Sequence, residues 1–405
     1  MTAPAPHLDS RASWLRLVIA LTIGTIGSIG MWSFVVALPA VQADFGVSRA
    51  EVSFPYTMTM LGFAFGGVFM GKLADRMGIF PPLVCGAVLI SLGYVLSGYA
   101  PNLTVFALLQ IIIGLGTSAS FAPLMIDVSY WFWKRRALAV ALASSGNYLA
   151  GTIWPPLLQS AIATYGWRPA MTGIGIICIC TLLPLSLLMR TRAPIDAAMA
   201  GAKPAARFGA LDMPPNVLFV LLAIAGVACC VAMSMPQVHL VAYCADLGYG
   251  AARGAEMLSV MLGLGIVSRI ASGFIADRIG ALSALLLGST LQGVALFLYL
   301  FFDSMTSLYV ISGLFGLFQG GIVPMYAVIV REYFPASKAG GTTGVIIMAT
   351  LFGMAAGGWM SGFIFDLTGS YRMAFLNGLA WNLVNVAIAA FLLMKSRGGT
   401  KAAMA

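Results

Sequence analysis

Gly71-Lys72-Leu73-Ala74-Asp75-Arg76-Met77-Gly78 and Gly273-Phe274-Ile275-Ala276-Asp277-Arg278-Ile279-Gly280 are one octapeptide pattern written twice, 202 residues apart. Nearly the same spacing recurs elsewhere. Ala43-Asp44-Phe45-Gly46 returns as Ala245-Asp246-Leu247-Gly248, Pro123 returns as Pro324, and Gly166-Trp167-Arg168 returns as Ser370-Tyr371-Arg372. A near-constant offset held over so many landmarks points to a duplicated chain.

The stretches between the landmarks are apolar. Of the 405 residues, 60% are hydrophobic and 9% charged, with a mean hydropathy of +0.96. A soluble domain carries roughly 25% charged residues, so the composition describes a membrane protein. Runs long enough to span a bilayer, about 20 residues each, lie near 15–42, 53–73, 80–99, 103–129, 136–163, 169–190, 214–244, 254–275, 281–301, 305–330, 339–365 and 372–394. The predicted fold is an all-α membrane protein of twelve transmembrane helices in two pseudo-symmetric six-helix bundles. The predicted divisions are an N-terminal bundle at 1–190, a cytoplasmic linker at 191–213 and a C-terminal bundle at 214–405. Such halves, with a site where they meet, are the plan of a rocking transporter.

Charge sets the orientation. Four basic residues, Arg49, Arg168, Arg253 and Arg372, fall on one side of the predicted membrane, and seventeen fall on the side of the termini. Positive residues collect in the cytoplasm, which places both termini there. The net charge of +9 is therefore a membrane-border signal, and no nucleic-acid partner is expected. The first apolar run is too long for a signal peptide core. The six cysteines sit in or beside apolar runs without metal-ligand spacing, so they are read as packing residues. No cofactor and no metal are expected.

One of the 22 Lys and Arg residues breaks the border rule. Arg269 lies inside the apolar run from Met257 to Ile275. A charge near mid-bilayer costs about 2.5–3.5 kcal/mol on insertion scales, so such residues face a cavity and serve a ligand. Eight residues separate it from Asp277, roughly 12 Å of helix, which places it near the midplane. Its counterpart at offset 202 is Gly67. A guanidinium takes a carboxylate through two parallel hydrogen bonds and keeps its proton. Gly265 and Ser272 leave room beside it, and no acid lies deep in any run, since Asp127 and Glu332 sit near segment ends.

The twice-written octapeptide resembles the loop signature of the major facilitator superfamily, and that resemblance covers the whole chain. It implies a gating role for Gly71, Asp75, Arg76, Gly78, Asp277, Arg278 and Gly280 at the cytoplasmic face. Tyr130-Trp131-Phe132-Trp133-Lys134-Arg135-Arg136, with Ala143 and Gly146, is similar to the entry of helix five in monocarboxylate transporters and bacterial oxalate–formate antiporters. Both carry an arginine in helix eight that pairs with the substrate carboxylate, which by resemblance is Arg269. Three departures stand out. Gly27-Ser28-Ile29-Gly30-Met31-Trp32 lacks the acid and the lysine of the animal transporters. Gly265 replaces an aspartate found in many members. Ala339 to Phe365 has no interior lysine of the antiporter kind. One fixed cation suits one carboxylate.

Further substrate-binding candidates are His239, Asn147, Gln319, Tyr326 and Trp32. Imidazole titrates near physiological pH, so His239 suits a proton carrier; an interhelical hydrogen bond fits it equally. The other four fit either a cavity wall or helix packing. The sequence thus predicts a proton-coupled carrier of a small monocarboxylate. It works as a monomer in the plasma membrane, the inner membrane of a bacterial cell. An exchanger of organic anions is the alternative, and a receptor on the same scaffold is the rival class. No nucleotide-binding Gly-rich Lys motif and no catalytic constellation point to an ATP-driven pump or an enzyme.

Overall fold

Capping residues and glycines punctuate an almost wholly helical chain. The computed structural model describes residues 8–191 and 213–402, so the predicted linker, with Arg192, Lys203 and Arg207, lies outside the described residues. Helices run α1 Arg11–Gly27, α2 Ile29–Phe45, α3 Arg49–Met77, α4 Phe80–Gly98, α5 Leu103–Ala119, α6 Ala122–Ser129, α7 Arg136–Ser144, α8 Gly146–Tyr165 and α9 Trp167–Leu188. The second series is α10 Pro215–Asp246, α11 Ala251–Ile279, α12 Ala281–Leu298, α13 Met305–Gln319, α14 Ile322–Tyr333, α15 Ala336–Thr368 and α16 Tyr371–Ala402. Among the described residues, eleven spans are long and apolar enough to cross a membrane. The predicted run 136–163 is the twelfth segment, divided into α7 and α8 at Ser145.

The starts and stops follow local chemistry. Ser48 and Glu51 form a reciprocal capping box at the head of α3, and Asn102 caps α5 through the N–H of Val105. Both satisfy donors that a helix N-terminus leaves unpaired. The duplicated octapeptide ends two helices in one way. Gly78 and Gly280 adopt φ of +83° and +86°, and each donates its N–H to the alanine four residues back at 2.8 Å. A side chain is strained at such φ, so glycine closes the turn.

By contact, the described residues form two units. One takes 8–191 with 244–259, and the other takes 213–243 with 260–402. In the first unit, α3 and α5 approach closely. A Cβ on Gly62 would collide with the Ile111 carbonyl, and one on Gly114 with the Thr59 carbonyl. Small residues let membrane helices meet backbone to backbone. Gly67 and Gly71 make no such contact and face open space.

Four segments that read as continuous in hydropathy are broken. The breaks fall at Ser28, Ser120–Phe121, Ser145 and Gly320–Gly321. Two of them are duplicates, because Pro123 and Pro324 each stand just beyond one. A proline ring excludes the carbonyl four residues earlier from the helical ladder. That carbonyl belongs to Ala119 in the first half and Gly320 in the second.

Arg16 and Asp127 add a feature that border counting misses. Arg16, six residues into α1 and 6% exposed, binds Asp127 of α6 through Nε at 2.7 Å and Nη2 at 2.9 Å. Its guanidinium also lies 4.5 Å from the Trp131 ring centroid and donates to the Met189 carbonyl at 3.4 Å. Arg269 is therefore one of several arginines drawn inside the protein. On the side opposite the termini, Arg168 pairs with Asp44 at 3.0 Å and Arg49 with Asp246 at 3.1 Å, both within the first unit.

Candidate functional site

The second unit holds Arg269 on α11, and its surroundings follow from the break between α13 and α14. Pro324 keeps the Gly320 carbonyl out of the helix, and the Nε of Arg269 donates to that carbonyl at 3.3 Å. Glycines bring the backbones together there. A Cβ on Gly316 would collide with the Met261 carbonyl, and one on Gly320 with the Gly265 carbonyl. The room that Gly265 leaves is thus filled by the broken helix. Ser272 turns its hydroxyl back to the Arg269 carbonyl at 3.0 Å. Arg269 is 9% exposed, and its Nε is held by that carbonyl.

Gln319, the last residue of α13, is fully buried. Its Oε1 accepts from the Nε2 of Gln237 on α10 at 3.1 Å. Its own Nε2 has no hydrogen-bond partner among the described residues. Gln319 thus directly precedes Gly320, whose carbonyl holds Arg269 at the same helix break. Sequence reading had missed Gln237; its place next to Pro236 in an apolar helix was the available signal.

The other candidates are occupied. In the first unit the indole N–H of Trp32 donates to both the side-chain oxygen and the backbone carbonyl of Asn147, each at 3.0 Å. These two predicted residues are brought together with each other, α2 against α8. In the second unit Tyr326, fully buried, donates to Asn385 at 2.8 Å, and Asn385 donates on to Ser289 at 2.7 Å. The Tyr326 hydroxyl is thereby used in joining α14, α16 and α12. His239 contacts the Gly358 carbonyl through Nε2 at 2.8 Å and the Tyr371 hydroxyl through Nδ1 at 3.1 Å. A carbonyl only accepts, so Nε2 donates to it, while the Tyr371 hydroxyl can either donate to Nδ1 or accept from it. The imidazole bridges α10, α15 and α16.

The family model of the Major Facilitator Superfamily matches residues 20–308 and 270–403. The chain belongs to the Major Facilitator Superfamily. Within that superfamily it is similar to monocarboxylate transporter 13 of Bos taurus, with 29% identity over 88% of this chain and 82% of that protein. It is also similar to human monocarboxylate transporter 11, with 27% identity over 92% and 81% of the two chains. Solved structures agree on the fold. A bacterial homologue of the human lysosomal transporter Spinster, inward-facing and occupied, superposes with a TM-score of 0.70 at 14% identity over 98% of each chain. The transporter FucP in its outward conformation gives 0.66 at 16% identity, over 94% of this chain and 99% of that one.

The superfamily octapeptides leave their charges in the open. Asp75, Arg76, Asp277 and Arg278 are exposed, and none of the four takes part in the ion pairs found among the described residues. Gly71 and Gly273 have open space where a side chain would stand. The curated relatives are transporters of this superfamily, as the sequence led one to expect of a multi-pass membrane protein.

Proposed function

We propose that the protein is a secondary transporter of small organic monocarboxylates. Arg269 binds the carboxylate, and alternating access exposes it to either side of the membrane. The observation that carries this reading is a buried guanidinium in an apolar helix, fixed by a carbonyl that Pro324 sets free. Its chemistry suits an anion, because guanidinium stays charged and offers several donors. Similarity to the monocarboxylate transporters supports the same substrate class.

The coupling ion is a proton; since the guanidinium keeps its own, the carried proton sits on the substrate's carboxyl group at Arg269 or on His239. His239 is less suited to the task, since both its ring nitrogens already have partners. The octapeptide charges Asp75, Arg76, Asp277 and Arg278 act in gating as the two halves rock. The working protein is a monomer in a plasma membrane, with both termini in the cytoplasm.

Reconstitution tests this directly. Liposomes holding the purified protein should accumulate labelled monocarboxylate when an inward proton gradient is imposed. Uptake that ignores the gradient and needs anion trapped inside would replace symport with exchange. Absence of any uptake or counterflow would reject the transporter reading.

A further inference from the structure

We infer that Gln319 is a second substrate-binding residue of the Arg269 site, donating an N–H to an oxygen of the bound acid, with Gln237 as its positioning residue. This rests on the carboxylate reading of Arg269 above.

The carboxamide of Gln319 is fully buried in the helix bundle. Gln237, itself 3% exposed, donates to its oxygen and so fixes the plane of the group. That leaves the Nε2 amide, a donor that accepts nothing, without a partner among the described residues. Buried polar groups are almost always hydrogen-bonded, and an exception in a folded protein calls for an explanation. A group built only to hold α10 against α13 would need one bond, and an apolar pair would pack there at lower cost.

The location supplies the explanation. Gln319 is the last residue before the break, and the next residue, Gly320, holds Arg269 through its carbonyl. A cation bonded to Gly320 and a neutral donor on the preceding residue therefore belong to one broken helix end. Both lack acceptor capacity on the atoms concerned, and an acid offers oxygens to both. Discontinuous helices of this kind form ligand sites in other transporters. The neutral donor adds direction to the charge. It favours an acid whose oxygens lie where the amide points, and it disfavours an anion that meets only the guanidinium.

The test is binding of acetate, lactate and benzoate to full-length purified protein, read by calorimetric titration beside thermal stability. The double variant Gln237→Leu/Gln319→Met removes the pair without leaving either amide stranded. It should melt at or above the wild-type temperature and bind the preferred acid at least about tenfold more weakly, with KM rather than kcat of uptake carrying the change. Gln319→Met alone should weaken binding equally, and it serves if the double variant fails to fold. Unchanged affinity in a folded variant, with Arg269→Ala no longer binding, would overturn the role of Gln319 and leave the arginine site standing. Failure of the wild type to bind any of the three acids would overturn both.

Discussion

The Nε of Arg269 donates to the carbonyl of Gly320 at 3.3 Å, and Pro324 is the reason that carbonyl is available. The arginine is a departure from the duplicated plan, since its counterpart is Gly67. The proline is part of the plan, since its counterpart is Pro123. A charged side chain in one half has taken up a backbone acceptor that both halves inherited.

Replacing Pro324 with alanine supplies an N–H that can recapture the Gly320 carbonyl. The helix is mended and Arg269 loses its bond to Gly320. A hydrogen bond to a charged group contributes about 1.5–3 kcal/mol, so the KM for monocarboxylate uptake should rise by roughly tenfold or more. The melting temperature in detergent should not fall. A variant with lower stability and unchanged KM would separate the proline from the site.

The ion pair of Arg16 and Asp127 offers a stability test. Both side chains are below a tenth exposed, so removing one strands the other. Arg16→Met or Asp127→Leu alone should cost about 3–5 kcal/mol, seen as a clear fall in thermal midpoint. The double variant should recover most of that loss. Additive losses would show that the residues act through other partners.

Asn382 on α16 is 1% exposed, and among the described residues neither its Oδ1 nor its Nδ2 has a hydrogen-bond partner. Gly293 on α12 leaves it space, because a Cβ there would stand 2.6 Å from Oδ1. An unsatisfied buried polar group costs about 1–3 kcal/mol. Asn382→Leu should therefore raise the melting temperature with transport intact; a lower midpoint would mean that the carboxamide has a partner in the bilayer.

Because His239 is bonded on both nitrogens, His239→Gln should lower stability while uptake still follows an imposed pH gradient. Uptake that persists but no longer responds to the gradient would make the imidazole the proton carrier.

Segment positions were legible because hydropathy decides them. The predicted run 305–330 is Met305–Tyr333, and 372–394 lies within Tyr371–Ala402. The breaks inside segments were not, since Ser28, Ser145 and Gly320–Gly321 interrupt the hydrogen bonding and leave the apolar run unbroken. Pro123 and Pro324, each just beyond a break, were the clues. Arg269 was legible as a charge in the wrong place. Its acceptor was not, because Gly320 lies 51 residues away on another helix. The Arg16–Asp127 pair spans 111 residues and was hidden because border position explains a lone arginine well enough. His239 left two readings open, and only the positions of Gly358 and Tyr371 favour the bonded one.

The most direct measurement is binding of a monocarboxylate to purified wild type, Arg269→Lys and Arg269→Ala, each shown to be folded by its melting curve. The account predicts that Arg269→Ala loses binding altogether. Arg269→Lys should keep the charge but lose the planar fork and the bond to Gly320, and so bind weakly. Wild-type affinity in a folded Arg269→Ala would contradict it.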